Sequence, residues 1–201
     1  TVYQPIRDLA TGSVVAWEAL SRGPAGTGFE SPEVLFDYAS RHGRVLPLEE
    51  ICVRFSAARF GTHEAGLLFV NVETNVVNEL ARGGLEILGP LVDLGPSVVL
   101  EITERGAIPD FEAFREGISA LRRAGFRIAL DDAGSGHASL HAIAELRPDF
   151  LKISQSLVTG PHRDGIKSEI VEMLVRLGGR IGAVTVAEGI ETEEDLAAVR
   201  Q

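Results

Sequence analysis

Residues 127–136 read Arg127-Ile128-Ala129-Leu130-Asp131-Asp132-Ala133-Gly134-Ser135-Gly136: a short apolar run that stops on two adjacent carboxylates and then a glycine-rich bend. The apolar stretch has strand length, and Gly134-Ser135-Gly136 lets the chain turn sharply after it. Adjacent residues on a regular strand face opposite ways, so Asp131 and Asp132 share one site only where the chain is already turning. The same pattern recurs on both sides of this stretch. Phe150-Leu151 ends on Lys152, Val184-Thr185-Val186-Ala187 on Glu188, and Val98-Val99-Leu100 on Glu101. Nearer the amino end, Leu67-Leu68-Phe69-Val70 ends on Asn71 and Val14-Val15-Ala16-Trp17 on Glu18.

Longer amphipathic segments separate these runs. Ser31-Pro32-Glu33 reads as a helix start, with Val34, Leu35 and Tyr38 on one apolar face and Gly43 as the stop. Asp110 precedes Phe111, Phe114, Ile118 and Leu121, with Gly125 closing. Ile166, Ile170, Met173 and Leu177 recur at intervals of three and four before Gly178-Gly179, and Thr192 caps a last helix containing Leu196 and Val199. Strand and helix thus alternate, which predicts βα units around a parallel sheet. In a (β/α) barrel every such strand opens onto the same face, where active sites of that fold lie. Glu18, Asn71, Glu101, Asp131, Asp132, Lys152 and Glu188 then converge. One polar residue at a strand end is plainly read as an exit marker; six such ends together favour a site.

Composition narrows the chemistry. The chain has 201 residues, 45% hydrophobic and 24% charged, with no long repeat or low-complexity tract, which predicts one globular domain over residues 1–201. One cysteine excludes an internal disulfide framework and suits a reducing compartment, so a cytoplasmic location is expected. No apolar run approaches membrane-spanning length and the first residues lack the pattern of a signal peptide, so no membrane contact is expected of this domain. A formal net charge of −10 opposes binding to a nucleic-acid polymer, and a phosphate ligand would need cations as intermediaries. Five carboxylates in one barrel mouth repel by roughly 3 kcal/mol per pair at a 5 Å gap and an effective dielectric near 20. They require cations or retained protons. Oxygen donors without thiolates suit hard ions such as Mg²⁺ or Mn²⁺.

Taken in order, Tyr3-Gln4-Pro5-Ile6, Glu18-Ala19-Leu20-Ser21-Arg22, Asn71, Glu101-Ile102-Thr103-Glu104, Asp131-Asp132-Ala133-Gly134-Ser135-Gly136, Leu151-Lys152-Ile153 and Ala187-Glu188-Gly189-Ile190-Glu191-Thr192 resemble the EAL-domain family. Members are phosphodiesterases that open the bacterial second messenger cyclic di-GMP to linear pGpG. The resemblance implies a TIM-like (β/α)8 barrel with an antiparallel first strand. It implies two Mg²⁺ or Mn²⁺ ions per site held by Glu18, Asn71, Glu101, Asp131, Asp132 and Glu188. Lys152 is implied as the residue beside the attacking water, with Glu188 as the other general-base candidate. Gln4, Leu20 and Arg22 are implied as substrate-binding, Arg22 through its planar fork of donors. Glu104 is implied to hold the loop that follows Asp132, and homodimerisation and tethering to sensory or other signalling domains are also implied.

Some family positions differ. Ala133, Ser135 and His137 stand where Phe, Thr and Tyr are common, Ser154 replaces the usual Asp after Lys-Ile, and Gly23-Pro24 replaces a frequent aromatic residue. The sequence also stops before the family's last strand and helix, so an open barrel is expected. These departures leave a second reading, a catalytically weak or inactive module that binds cyclic di-GMP for signalling. A third is an unrelated barrel enzyme that uses acidic metal ligands and a strand-end lysine to abstract a proton beside a carbonyl. The ordered motif series disfavours the third. His137 and His141 have the spacing of zinc ligands but read better as loop and surface residues. Cys52 reads as a small core residue, Trp17 as packed between barrel and helices, and Arg122-Arg123 and Glu193-Glu194-Asp195 as solvated helix faces.

Overall fold

A computed structural model describes residues 1–60, 66–81, 85–103, 111–135, 140–159 and 165–200. Seven strands form one sheet in chain order: β1 (Val2–Arg7), β2 (Val14–Leu20), β3 (Leu67–Glu73), β4 (Val98–Thr103), β5 (Arg127–Ala133), β6 (Phe150–Ile153) and β7 (Val184–Ala187). Only β1 is antiparallel to its neighbour; all later pairs are parallel. The reason is local. The link from Asp8 to Ser13 is too short for a crossover and closes as a hairpin, with Thr11 N donating to Asp8 Oδ1 at 2.7 Å and Gly12 at φ +72°.

The helices are α1 (Pro32–Arg41), α2 (Val45–Phe60), α3 (Thr74–Ala81), α4 (Gly89–Val92), α5 (Phe111–Arg123), α6 (Leu140–Leu146), α7 (Gln155–Val158), α8 (Gly165–Ile181) and α9 (Glu193–Val199), with 3₁₀ turns at Leu85–Leu88 and Gly95–Ser97. Among the described residues no helix is long and apolar enough to cross a membrane.

The sheet curls into a TIM-like barrel. In a flat sheet β2 and β6, four positions apart, would stand ~19 Å from each other. Here Lys152 on β6 approaches Glu18 on β2 to 3.4 Å. Inside the curl, Ala16, Phe69, Val99, Ala129 and Phe150 pack together with Ile6, Leu67 and Val186. The alternate residues Leu68, Val70, Leu100, Ile128, Leu130 and Leu151 face outward and join Val76, Phe114, Ile118, Leu121 and Ile143 of the helices in the larger core. Trp17 packs on that outer core, as its position before Glu18 predicts. Among the described residues the sheet has no eighth strand, and β1 and β7 are its edges.

The helix faces differ from their sequence readings in two places. On α1, Ala39 is buried while Val34 and Tyr38 are 48% and 49% exposed, and Tyr38 stacks on His42 at 4.0 Å. On α8, Ile170 and Leu177 of the expected stripe pack on the core beside Val171, Leu174, Gly178 and Ile181, whereas Ile166 and Met173 are exposed. Both helices carry apolar residues on more than one side, so helical spacing fits two stripes, and the neighbouring elements select between them: α2 for α1, and β6, β7 and α7 for α8. On α5 the expected stripe Phe114, Ile118 and Leu121 is buried.

Two charged groups also depart from expectation. Arg122 is not simply solvated: its Nη2 donates to the carbonyls of Leu146 at 2.9 Å and Arg147 at 2.7 Å, tying α5 to the end of α6. Asp195 is buried rather than surface-lying. Its N–H donates to Thr192 Oγ1 at 3.1 Å and its carboxylate accepts from that hydroxyl at 2.7 Å, closing a cap at the start of α9.

Candidate active site

Each polar side chain of the barrel mouth lies two residues beyond a member of the apolar inner layer. Glu18 follows Ala16, Asn71 follows Phe69, Glu101 follows Val99, Asp131 follows Ala129, Lys152 follows Phe150 and Glu188 follows Val186. Two residues along a strand is one step on the same face, so an apolar floor carries a polar layer directly above it. The register agrees, with Asn71 beside Glu101 across β3 and β4. Strands β2 to β5 continue two residues past these positions, so their polar groups stand inside the strand ends rather than at the last residue.

Lys152 is the centre of the arrangement. It is 1% exposed, and its Nζ lies 2.7 Å from Glu188 Oε1, 2.8 Å from Glu101 Oε1, 3.0 Å from Asp131 Oδ1 and 3.4 Å from Glu18 Oε1. Asn71 Nδ2 donates to Glu101 Oε2 at 3.0 Å and to Glu18 Oε1 at 3.5 Å. Six of the seven sequence-predicted groups therefore meet.

Asp132 is the exception. The ladder between β5 and β6 slips between Leu130 and Ala133, and Asp132 takes the left-handed conformation at φ +55°. Its carbonyl accepts from Ser135 N at 3.1 Å and Ser135 Oγ at 2.9 Å. Among the described residues no hydrogen bond or ion pair joins its carboxylate to the Lys152 cluster.

The cluster perturbs its own charges. Burial raises Glu101 well above the usual carboxylate range, Lys152 pulls it back in part, and Glu18 and Asp131 push it further up. Burial also raises Glu188, to about 7. Burial alone would lower Lys152, but Glu101, Glu18, Asp131 and Glu188 outweigh it and hold the ammonium well above its ordinary value. The lysine therefore stays charged, and a bare carboxylate set is partly neutralised.

Beside this cup lies a cavity of about 220 Å³ whose walls include Glu18, Leu20, Arg22, Phe36, Glu49 and Glu73. Leu20 and Arg22, two of the expected substrate-binding residues, thus share a wall with the cup. Arg22 Nη1 donates to Ser21 O at 2.8 Å. Gln4 pairs opposite Glu18 in the antiparallel ladder, which puts it on the same face of the sheet, and it is exposed. Glu104, the expected loop-holding residue, and His137 lie outside the described residues. His141 is exposed and packs its ring 4.9 Å from that of Phe111. Cys52 is half-buried on the cavity wall, and burial holds its thiol above the ordinary value, which suits packing rather than nucleophilic attack.

Two polar residues have roles that the sequence alone did not assign. Ser154 Oγ bonds Ser156 and caps α7, so it serves the backbone after Lys152 rather than Lys152 itself. Glu49 on α2 is 1% exposed and accepts from Glu73 N at 2.9 Å, joining the helix to β3 two residues past Asn71. Burial first, with the nearby Glu73 charge adding, raises Glu49 to about 7 against the pull of that hydrogen bond. Sequence reading missed it because Glu49 and Glu50 look alike on a helix.

The donor set fits hard divalent cations. All the candidate oxygens are carboxylate or amide, and Glu101 Oε1 and Asp131 Oδ1 are buried with the Lys152 ammonium as their charged neighbour at 2.8 and 3.0 Å. Among the described residues no three acidic side chains already stand at the spacing that holds one ion, because they are spread around the ammonium.

Comparison with known proteins agrees with the motif series. The family model described as EAL domain matches residues 1–201. The Escherichia coli K12 protein named probable cyclic di-GMP phosphodiesterase PdeB is 32% identical over 208 residues, covering 99% of this chain and 39% of its own length. The chain spans 25% to 39% of the length of that relative and two others like it. Among solved structures, BlrP1 of Klebsiella pneumoniae in a manganese and cyclic di-GMP complex is 30% identical at a TM-score of 0.82, covering 98% of this chain and 51% of that one. YkuI of Bacillus subtilis, bound to cyclic di-GMP and calcium, is 28% identical at a TM-score of 0.80, covering 98% of this chain and 50% of that one. A whole-length match of this kind, joined to a mouth built from Glu18, Asn71, Glu101, Asp131, Lys152 and Glu188, means that the chain belongs to the EAL domain family.

Proposed function

We propose that this domain hydrolyses cyclic di-GMP to linear pGpG with the help of Mg²⁺ or Mn²⁺, two per site. The observation that supports this most is the meeting of six polar side chains, five on strands and Glu188 just past the end of β7, at one barrel mouth, four of them carboxylates within 3.4 Å of one buried ammonium. Relatives carrying the same domain bind cyclic di-GMP together with manganese or calcium.

In this reading Glu18, Asn71, Glu101, Asp131, Asp132 and Glu188 hold the cations. Divalent charge at that place favours loss of a proton from water and offsets charge gathering on the phosphate. Hydrolysis adds water oxygen to one phosphorus and breaks one ring P–O bond, with a proton passing to the departing sugar oxygen. Glu188 is the other candidate for handling a proton of that water, and its place among the carboxylates around Lys152 favours the cation-holding role. Lys152 orients the water by donating from its ammonium, and Arg22 presents parallel donors to a phosphate or a guanine edge. Leu20 and Gln4 border the base. The negative surface makes cations the link between an acidic protein and an anionic substrate.

A homodimer tethered to signalling domains in the cytoplasm completes the proposal. The test is incubation with cyclic di-GMP, with and without Mg²⁺ or Mn²⁺, followed by separation of nucleotides. Cation-dependent pGpG formation, lost in Glu18→Ala, is the expected result. Binding without product would instead favour a signalling module.

A further inference from the structure

We infer that Lys152 is a built-in competitor of divalent cations: its ammonium occupies the oxygens a cation would use, sets how tightly the cup takes one, and shifts when one enters. The inference rests on the cation-dependent reading above. Its basis is the sharing of atoms. Glu188 Oε1, Glu101 Oε1, Asp131 Oδ1 and Glu18 Oε1 all lie within 2.7–3.4 Å of Lys152 Nζ. An ammonium has three protons, so four acceptors exceed its directed capacity. The crowding shows in the geometry: the oxygens of Glu188, Glu101 and Asp131 stand 2.7, 2.8 and 3.0 Å from the nitrogen, and that of Glu18 is held off at 3.4 Å.

Asn71 sharpens the competition. It donates to Glu101 Oε2 at 3.0 Å, which leaves Oε1, 2.8 Å from Lys152 Nζ, as the oxygen that ammonium and cation would share. A divalent ion sits about 2.0–2.6 Å from its oxygen ligands. If it bound Glu101 Oε1, it would stand within about 5 Å of an Nζ left at its present place. Two positive charges in a buried cup at that separation repel strongly. The lysine stem is unbranched and rotatable, so the ammonium can withdraw while the strand stays in register. The same ammonium neutralises part of the carboxylate repulsion, which makes it a stabilising group for the fold as well as a rival for cations.

The sequence supplies a clean probe, because lysine occurs only at positions 152 and 167. Lys167 lies on α8 and donates to Ser156 O at 2.7 Å. In protein labelled with ¹³C at the lysine ε carbon, Mg²⁺ is expected to shift the Lys152 signal and leave that of Lys167 in place. By calorimetry, Lys152→Met is expected to bind Mn²⁺ about tenfold or more tightly than wild type, while its melting temperature in chelator falls. Lys152→Gln serves the same purpose if the methionine variant does not fold. Cation binding with both lysine signals stationary, or unchanged or weaker affinity in the folded variants, overturns the inference and leaves the proposed hydrolysis standing. Failure of wild type and variants alike to bind Mg²⁺ or Mn²⁺ overturns both.

Discussion

Glu49 shows how a single carboxyl can report on pH. Its folded value of about 7 lies above the ordinary 4.5, so between those two values the folded chain holds a proton that the unfolded chain has lost. Stability from this group is full below about 4.5, declines as pH rises, and is gone above about 7. Glu49→Gln keeps an acceptor for Glu73 N without the titrating charge. Urea unfolding at pH 5 and pH 8 is expected to show the variant about 2–3 kcal/mol more stable than wild type at pH 8, with little difference at pH 5. This carboxyl was illegible in the sequence because burial, not residue type, separates Glu49 from its exposed neighbour Glu50. Glu18, Glu101, Asp131, Lys152 and Glu188 were legible because each interrupts an apolar strand where a parallel barrel exposes its ends. Asp132 was half legible: the turn was foreseen, but the backbone carbonyl of Asp132, rather than its carboxylate, makes the contacts.

At the level of elements, helix-to-helix fit depends on one missing side chain. A Cβ on Gly117 of α5 would meet the Val77 carbonyl oxygen of α3 at 2.3 Å. Gly117→Ala is expected to cost about 1–3 kcal/mol in equilibrium unfolding, since the obstacle is backbone and the helices must separate. Thr192→Ala removes the hydroxyl that joins Asp195 to the start of α9 and leaves a buried carboxylate with one partner fewer. A loss of about 1–2 kcal/mol is expected by the same measurement. Thr192 was readable as the cap of α9, but the acidic run Glu193-Glu194-Asp195 gave no sign that its third member is buried. The faces of α1 and α8 were half readable: Ile170 and Leu177 pack on the core as their spacing predicts, but Val34 and Met173 stay exposed while Ala39 and Leu174 are buried, which only the neighbouring elements decide.

For the whole molecule, a net charge of −10 sets a long-range field that opposes the approach of any anion, the proposed cyclic di-GMP included. Raising NaCl from about 20 to 200 mM shortens the screening length and weakens long-range repulsion. The association rate of cyclic di-GMP, followed by stopped flow at fixed Mg²⁺, is expected to rise severalfold, opposite to the behaviour of proteins that bind nucleic-acid polymers. A fall with salt would place the controlling field in the local cationic groups instead.

The ring of Ala16, Phe69, Val99, Ala129 and Phe150 beneath the charged side chains has a consequence for their field. It seats an apolar plug directly beneath the polar layer of β2 to β6, so the backs of Glu101 and Lys152 rest on hydrocarbon and their charges interact through a poorly polarisable medium.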